Sequence, residues 1–113
     1  MEALCTRFNP NILKAKEIID SGVIGEVEYI NADFAFKFDG SIESRAVDLY
    51  LGGGALLDIG IYPAFLTYLL LGIPDKVLAT ANFHKITKCD MQSAMIFAYP
   101  KAQAVLYSGF TTG

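Results

Sequence analysis

The residues of this sequence best suited to chemistry are a carboxylate and a phenol four positions apart, Asp58 and Tyr62. On a helix, side chains at this spacing project from the same face, one turn from each other. Apolar residues surround both, and a run of glycines, Gly52–Gly54, stands just before them. Glycines at a helix start let the backbone approach a ligand closely. The pattern therefore predicts that Asp58 and Tyr62 face a cleft or each other.

The same residues also have a purely structural interpretation. Glycine runs before helices are commonly turns, and an aspartate in the first helical turn interacts favourably with the helix dipole. A tyrosine on an otherwise apolar helix is commonly part of a core. Short motifs of this kind are hypotheses until their structural context is known, so the spacing alone leaves both interpretations open.

The elements that must position the pair begin with a short segment, residues 2–8, whose composition predicts a buried strand. Asn9 is a suitable N-cap for a following helix, Pro10 suits the first helical position, and Gly22 suits the end. Residues 26–39 then alternate between apolar and polar side chains, which is the pattern of a half-buried strand.

The second half of the chain predicts one helix and three strands. After a loop over 39–53, the helix begins near Ala55, is bent or divided at Pro63 and ends at Gly72. The strands that follow, separated by short polar connections, are residues 75–84, 90–99 and 103–112. Successive strands with tight connections favour antiparallel pairing. The predicted fold class is α+β, an open, mostly antiparallel sheet with helices packed on one face.

Composition excludes several classes of protein. The 113 residues are 53% hydrophobic and 19% charged, which excludes intrinsic disorder. The net charge is −3 and the basic residues are scattered, so we expect no nucleic-acid partner. The apolar run over 59–73 is shorter than the roughly 20 residues that a membrane-spanning helix needs. Glu2 and Arg7 interrupt any amino-terminal signal peptide, so we expect a cytoplasmic protein without membrane contact.

A metal site is not expected either. The two cysteines, Cys5 and Cys89, lie far apart and outside any metal-ligand spacing. The one histidine, His84, has no partner at ligand spacing, and protein metal sites need several ligands.

Three strings of the sequence carry a resemblance to a known family. GGGALLDIGIYP, EALCTRFNP and GEVEYINADF resemble the Gfo/Idh/MocA oxidoreductases, especially the branch of glucose–fructose oxidoreductase and dimeric dihydrodiol dehydrogenase. Members of this family have an N-terminal Rossmann domain and a C-terminal domain with a large, mostly antiparallel sheet. The resemblance covers the second part only. We therefore expect residues 1–113 to form a single C-terminal substrate-binding and oligomerisation domain, truncated from a larger two-domain enzyme.

The resemblance also implies roles for particular residues. In the family, an aspartate and a histidine or tyrosine four residues later lie beside the substrate at the nicotinamide, and Asp58 and Tyr62 match these positions. They are the expected catalytic residues. Tyr62 would exchange the hydroxyl proton and Asp58 would orient the substrate hydroxyls during hydride transfer. Arg7 matches the arginine of a Trp-x-Arg-Phe element in which Cys5 replaces the aromatic residue. Arg7 and Gly54 are the expected substrate-binding residues.

The remaining parts of such an active site lie outside the chain. A free phenol loses its proton only near pH 10, so its role requires a nearby cation, which the family supplies as a lysine in a Glu-Lys-Pro motif. That motif does not occur here, and neither does a G-x-G-x-x-G following a strand. We therefore expect NAD or NADP to be bound mainly by the absent N-terminal domain, and the isolated chain to be inactive.

The expected partners are a sugar, polyol or diol substrate, the protein's own Rossmann domain, and a second copy bound through the open sheet face. Two alternatives remain open. The chain could be a non-catalytic dimerisation module, or a small-ligand-binding module that holds an anion at the glycine run. The identity of the substrate and the choice between NAD and NADP are not encoded in these residues.

Overall fold

The structure, a computed structural model, describes residues 3–112. Its elements, in chain order, are α1 (Pro10–Asp20), β1 (Tyr29–Ala35), α2 (Ile61–Leu71), β2 (Lys76–Phe83), β3 (Asp90–Ala98) and β4 (Gln103–Gly109). Short 3-10 turns form at Cys5–Phe8, Arg45–Val47 and Leu49–Leu51.

The predicted opening strand is wrong over its described part. Cys5–Phe8 form a 3-10 turn, in which Arg7 donates its backbone N–H to the carbonyl of Leu4. A strand needs a neighbour to accept its backbone hydrogen bonds, and none of the strands within residues 3–112 pairs with this segment. The turn satisfies those groups locally instead.

Helix α1 follows its sequence signals. The side-chain oxygen of Asn9 accepts a hydrogen bond from the N–H of Asn11 at 2.9 Å, and Pro10 occupies the first helical position. Gly22, just past the end, has a φ of 80°, which glycine adopts without strain. No residue of α1 is buried: Leu13 and Ile18 are exposed, and Ile12 and Ile19 are half-buried.

The four strands form one mixed sheet in the order β1-β4-β3-β2. The β2–β3 and β3–β4 pairs are antiparallel as predicted, whereas β1 pairs with β4 in parallel. The pairing of β1 continues beyond its last residue, because the N–H of Phe36 donates to Gly109 and that of Phe38 to Phe110. The α+β open sheet is therefore confirmed, with a parallel pair at one edge.

One long helical segment packs against this sheet. It begins at Ala55, passes through a π-helical turn at Leu56–Gly60 and continues as α2. We call residues 55–71 the site helix. Sequence predicts a bend at Pro63; the structure has a wider turn just before it. Proline has no N–H and its ring clashes with the carbonyl four residues earlier, here Ile59, and a π-helical turn relieves that clash.

The core lies between the site helix and the β1–β4–β3 part of the sheet. Its fully or almost fully buried side chains are Ile30, Met95, Ala104 and Leu106. A second cluster, Ala55, Ile59 and Phe110, packs the amino-terminal end of the site helix onto the end of β4. The chemistry-bearing end of the helix therefore rests on its own apolar cluster.

The stretch Leu49–Leu71 is long and apolar enough to cross a membrane, by length and composition alone. The chain turns within it, because Gly52 and Gly54 have φ values of 72° and 116°. The helix that follows is shorter than the roughly 20 residues needed to span a bilayer. A core helix passes the same test, and one side of this helix, with Ala64, Leu70 and Leu71, packs against the sheet.

Candidate active site

Asp58 and Tyr62 lie on the same side of the site helix and line the same two cavities. One cavity, of about 540 Å³, is bounded by Cys5, Thr6 and Phe34 as well. The other, of about 520 Å³, includes Arg45. The pair thus lines two solvent-open cavities, and the catalytic roles of its members stay predictions.

The two side chains have different surroundings. The carboxylate of Asp58 is 23% exposed and accepts a hydrogen bond from Nη2 of Arg45 at 3.2 Å. The ring of Tyr62 is half-buried and lies against Phe34 of β1, with 5.6 Å between ring centroids and planes tilted by 55°. Aromatic pairs favour tilted arrangements at this distance. The carboxylate of Asp58 is thus paired with Arg45, and the ring of Tyr62 packs against Phe34 of the sheet.

Arg45 is the charged residue lining these cavities that sequence reasoning missed. It belongs to the 3-10 turn Arg45–Val47 in the loop before the glycine run, and its side chain is 66% exposed. An exposed ion pair of this kind contributes little stability, but it supplies a cation beside Asp58. No periodicity marks a loop arginine, so the sequence carries no local signal for it.

Each glycine of the run has its own structural reason. Gly52 ends the turn Leu49–Leu51 with a φ of 72°. Gly53 packs so closely on the Arg45–Val47 turn that a methyl group would meet the Arg45 carbonyl at 2.7 Å. Gly54 has a φ of 116°, and a methyl group there would collide with the carboxylate of Asp90. The run therefore brings the arginine-bearing turn and β3 against the start of the site helix.

The glycine run does not offer its N–H groups to a phosphate. Gly53 donates to the carbonyl of Asp48 at 2.7 Å, and Gly54 donates to that of Ala46 at 2.8 Å. Loops that cradle phosphates leave such N–H groups free for the ligand. The pyrophosphate of a dinucleotide cofactor therefore does not fit this run, and the binding of the cofactor by other residues stays a prediction. Within residues 3–112, no cluster of three metal-ligating side chains occurs.

The two expected substrate-binding residues lie apart from the cavities. Arg7 is exposed, and its guanidinium lies over the ring of Phe8, 5.9 Å from the ring centroid. Its neighbours Cys5 and Thr6 line the first cavity, but Arg7 does not. Gly54 is buried against Asp90 and lines neither cavity. Both assignments stay predictions; Gly54 contacts Asp58 only through its backbone carbonyl, which accepts from the Asp58 N–H at 3.1 Å.

The chain is similar to known proteins in family, in sequence and in fold. A family model described as the GFO/IDH/MocA C-terminal domain matches residues 12–113. A D-xylose 1-dehydrogenase (NADP(+)) of Haloferax volcanii is 31% identical over 99% of this chain and 34% of its own length. A trans-1,2-dihydrobenzene-1,2-diol dehydrogenase of Xenopus tropicalis is 39% identical over 96% of this chain and 33% of its own length. The chain thus spans about a third of the curated relatives it matches.

Solved structures agree with these matches. An aldose-aldose oxidoreductase from Caulobacter crescentus, complexed with glycerol, superposes with a TM-score of 0.88 at 24% identity, covering 98% of this chain and 35% of that one. This likeness concerns the fold. A 3-ketoreductase from Actinomadura kijaniata, in complex with TDP-benzene and NADP, superposes with a TM-score of 0.85 at 25% identity, over 96% of this chain and 34% of that one.

Proposed function

This chain belongs to the GFO/IDH/MocA family, and from that premise we propose that the full-length protein is an NAD(P)-dependent oxidoreductase acting on a sugar, polyol or diol. The single observation that carries the proposal is the shared cavity lining of Asp58 and Tyr62. The relatives are dehydrogenases of D-xylose and of a dihydrobenzene diol. Both substrates carry hydroxyl groups on neighbouring carbons, and we assign this substrate class to the present protein.

We propose that Tyr62 exchanges the proton of the reacting hydroxyl. In the oxidation, the substrate loses a hydride from its carbinol carbon and a proton from its oxygen, and it leaves as a carbonyl compound. A nicotinamide cofactor, when bound, supplies the hydride acceptor. The hydroxyl of Tyr62 relays the proton towards solvent through the open cavity, which is general acid/base catalysis.

The role proposed for Asp58 is to orient the substrate. A carboxylate accepts several hydrogen bonds, so it can hold two neighbouring hydroxyl groups at once. Arg45 already occupies one lone pair of Oδ1 and keeps the carboxylate turned towards the cavity. Arg45 is therefore a positioning residue in this proposal.

The experiment that tests this function uses the full-length protein with Tyr62→Phe. We expect kcat for reduction of NAD or NADP by D-xylose or a trans-dihydrodiol to fall by about 10²–10⁴-fold, because the proton relay is lost. Cofactor binding, measured by fluorescence titration, is expected to stay unchanged. The control is Tyr68→Phe, an exposed tyrosine of α2 that lines neither cavity. Undiminished turnover in Tyr62→Phe would remove this residue from the mechanism.

We also propose that the protein forms a homodimer through the sheet face opposite the site helix. Three exposed apolar side chains adjoin on that face by strand register: Leu78, Ile96 and Val105. An apolar row of this kind is typical of a covered surface. We expect Ile96→Lys to shift the full-length protein from dimer to monomer in sedimentation velocity, while Val77→Lys on the other face does not. A wild-type monomer across a wide concentration range would rule the dimer out.

A further inference from the structure

The amino-terminal end of the site helix is held by a side chain from a distant part of the sequence. Asp90 is the first residue of β3, and its Oδ2 accepts a hydrogen bond from the N–H of Leu56 at 2.7 Å. Its other oxygen, Oδ1, lies over the α-carbon of Gly54, where only glycine leaves room. The bond connects residues 34 positions apart. The helix start is therefore fixed to the sheet as well as to its own flanking loop, where Gly54 donates to the Ala46 carbonyl.

The backbone of the helix start needs such a partner. The first N–H groups of any helix lack acceptors within the helix. Gly54 donates to the Ala46 carbonyl and Asp58 donates to the Gly54 carbonyl, but no local side chain caps the π-helical turn. Asp90 fills this position from β3. A carboxylate is well suited to it because the amino-terminal end of a helix carries partial positive charge.

The bond lies close to the residues that the proposed reaction uses. Leu56 precedes Asp58 by two residues and Tyr62 by six, within the same rigid segment. A second close contact fixes the segment further along, because Gly60 packs against Ser108 of β4, where a methyl group would meet Oγ at 2.8 Å. Two points of contact with the sheet set both the axial position and the rotation of the helix start.

We propose that Asp90 is a positioning residue for the reaction. Its carboxylate holds the π-helical turn so that Asp58 meets Arg45 and both Asp58 and Tyr62 reach the cavities. Asp90 itself lines neither cavity, and one of its oxygens is occupied by Leu56, so it acts through the helix and not on the substrate. This inference rests on the proposed function, and its test separates the two.

The test compares variants of the full-length protein by kcat and KM. Asp90→Ala removes the acceptor, and we expect kcat to fall by about 10–100-fold, since small misplacements of reacting groups have effects of this size. Asp90→Asn keeps an acceptor oxygen at nearly the same place, and we expect it to restore most of the turnover. The KM for the cofactor is expected to stay unchanged in both. The control is Asp75→Ala, an exposed carboxylate near the opposite end of the sheet.

Three outcomes would overturn the inference. One is an Asp90→Ala variant that melts at a lower temperature yet keeps wild-type kcat below its melting range, because the role would then be structural only. Another is Asp90→Asn behaving like Asp90→Ala, since rescue by the retained acceptor would be absent. If Asp90→Ala does not fold, the test uses Asp90→Glu, in which the carboxylate is displaced by one methylene group. Unchanged kcat in Asp90→Glu is the third outcome that would overturn the inference.

A readout independent of turnover separates this inference from the proposed function. Amide hydrogen exchange over residues 56–61 is expected to quicken at least tenfold in Asp90→Ala and to stay near wild type in Asp90→Asn. A wild-type protein that is inactive on sugars and diols, together with faster exchange in Asp90→Ala, would refute the function and leave the anchoring intact. Unchanged exchange in Asp90→Ala would refute the anchoring whatever the activity.

Discussion

The two ends of the site helix are both tied to the same strand, but by different chemistry. At the amino-terminal end, the carboxylate of Asp90, the first residue of β3, accepts from the backbone of Leu56. At the carboxyl-terminal end, the hydroxyl of Tyr99, just past the last residue of β3, donates to the Gly72 carbonyl at 3.0 Å. One residue at the start of β3 and one just past its end therefore form hydrogen bonds with the two ends of the site helix.

The backbone differs between these ends as much as the anchors do. The amino-terminal end has a glycine at φ 116°, a π-helical turn and a carboxylate paired with arginine. The carboxyl-terminal end is regular α-helix closed by Gly72. π-helical turns and unusual dihedral angles concentrate at functional sites, where surrounding contacts maintain them. From this difference we expect that the first end places the side chains of the proposed reaction, and that the second end contributes only to stability.

The largest effect expected from this comparison comes from alanine at the two end glycines. Gly54→Ala and Gly72→Ala each put a side chain at positive φ, with φ values of 116° and 79°. We expect each to lower the free energy of unfolding by about 1–3 kcal/mol, measured by urea denaturation of the full-length protein. Only Gly54→Ala also displaces a catalytically relevant neighbour, because its methyl group collides with Asp90. Only that variant is expected to lose turnover.

The same pair of variants tests the predicted substrate-binding role of Gly54. If Gly54 contacts substrate, Gly54→Ala raises the KM for the sugar or diol in addition to the loss of stability expected from its positive φ. If it seats the helix start, stability and kcat fall together and the KM for substrate stays close to wild type. Equal losses of kcat in Gly54→Ala and Gly72→Ala would show that the two ends do not differ in function.

The sequence predicts the regular parts of this structure better than the irregular ones. The N-cap Asn9 and the start at Ala55 were predictable because their signals are local. The opening strand was wrong over its described part because a strand depends on an available strand edge, which no sequence signal reports. The irregularity near Pro63 was predictable, but its form, a π-helical turn just before the proline, was not. The parallel β1–β4 pair joins strands distant in sequence, for which no turn gives a signal.

In the candidate site too, local relations were predictable from the sequence and long-range contacts were not. Asp58 and Tyr62 were found from spacing on one helix, which is a local relation. Arg45 and Asp90 join them only through contacts across 13 and 34 residues, and neither stands in a periodic pattern. Sequence reasoning thus identifies the side chains that face the cavity and misses those that hold them in place.

The smallest expected effect concerns the anchor at the carboxyl-terminal end of the helix. Tyr99→Phe removes one neutral hydrogen bond to Gly72, and we expect a loss of about 1 kcal/mol in the free energy of unfolding, with kcat unchanged.

Burial raises the pKa of Tyr99 above its usual value of 10.0. The unfolded chain therefore ionises first, and the advantage of wild type over Tyr99→Phe is complete below about pH 10 and shrinks as the pH rises above it. Tyr50→Phe, at a residue 99% exposed, is the control and should change neither quantity. A fall in kcat for Tyr99→Phe comparable to that for Asp90→Ala would mean that the whole helix, and not its first turns, sets the geometry of Asp58 and Tyr62.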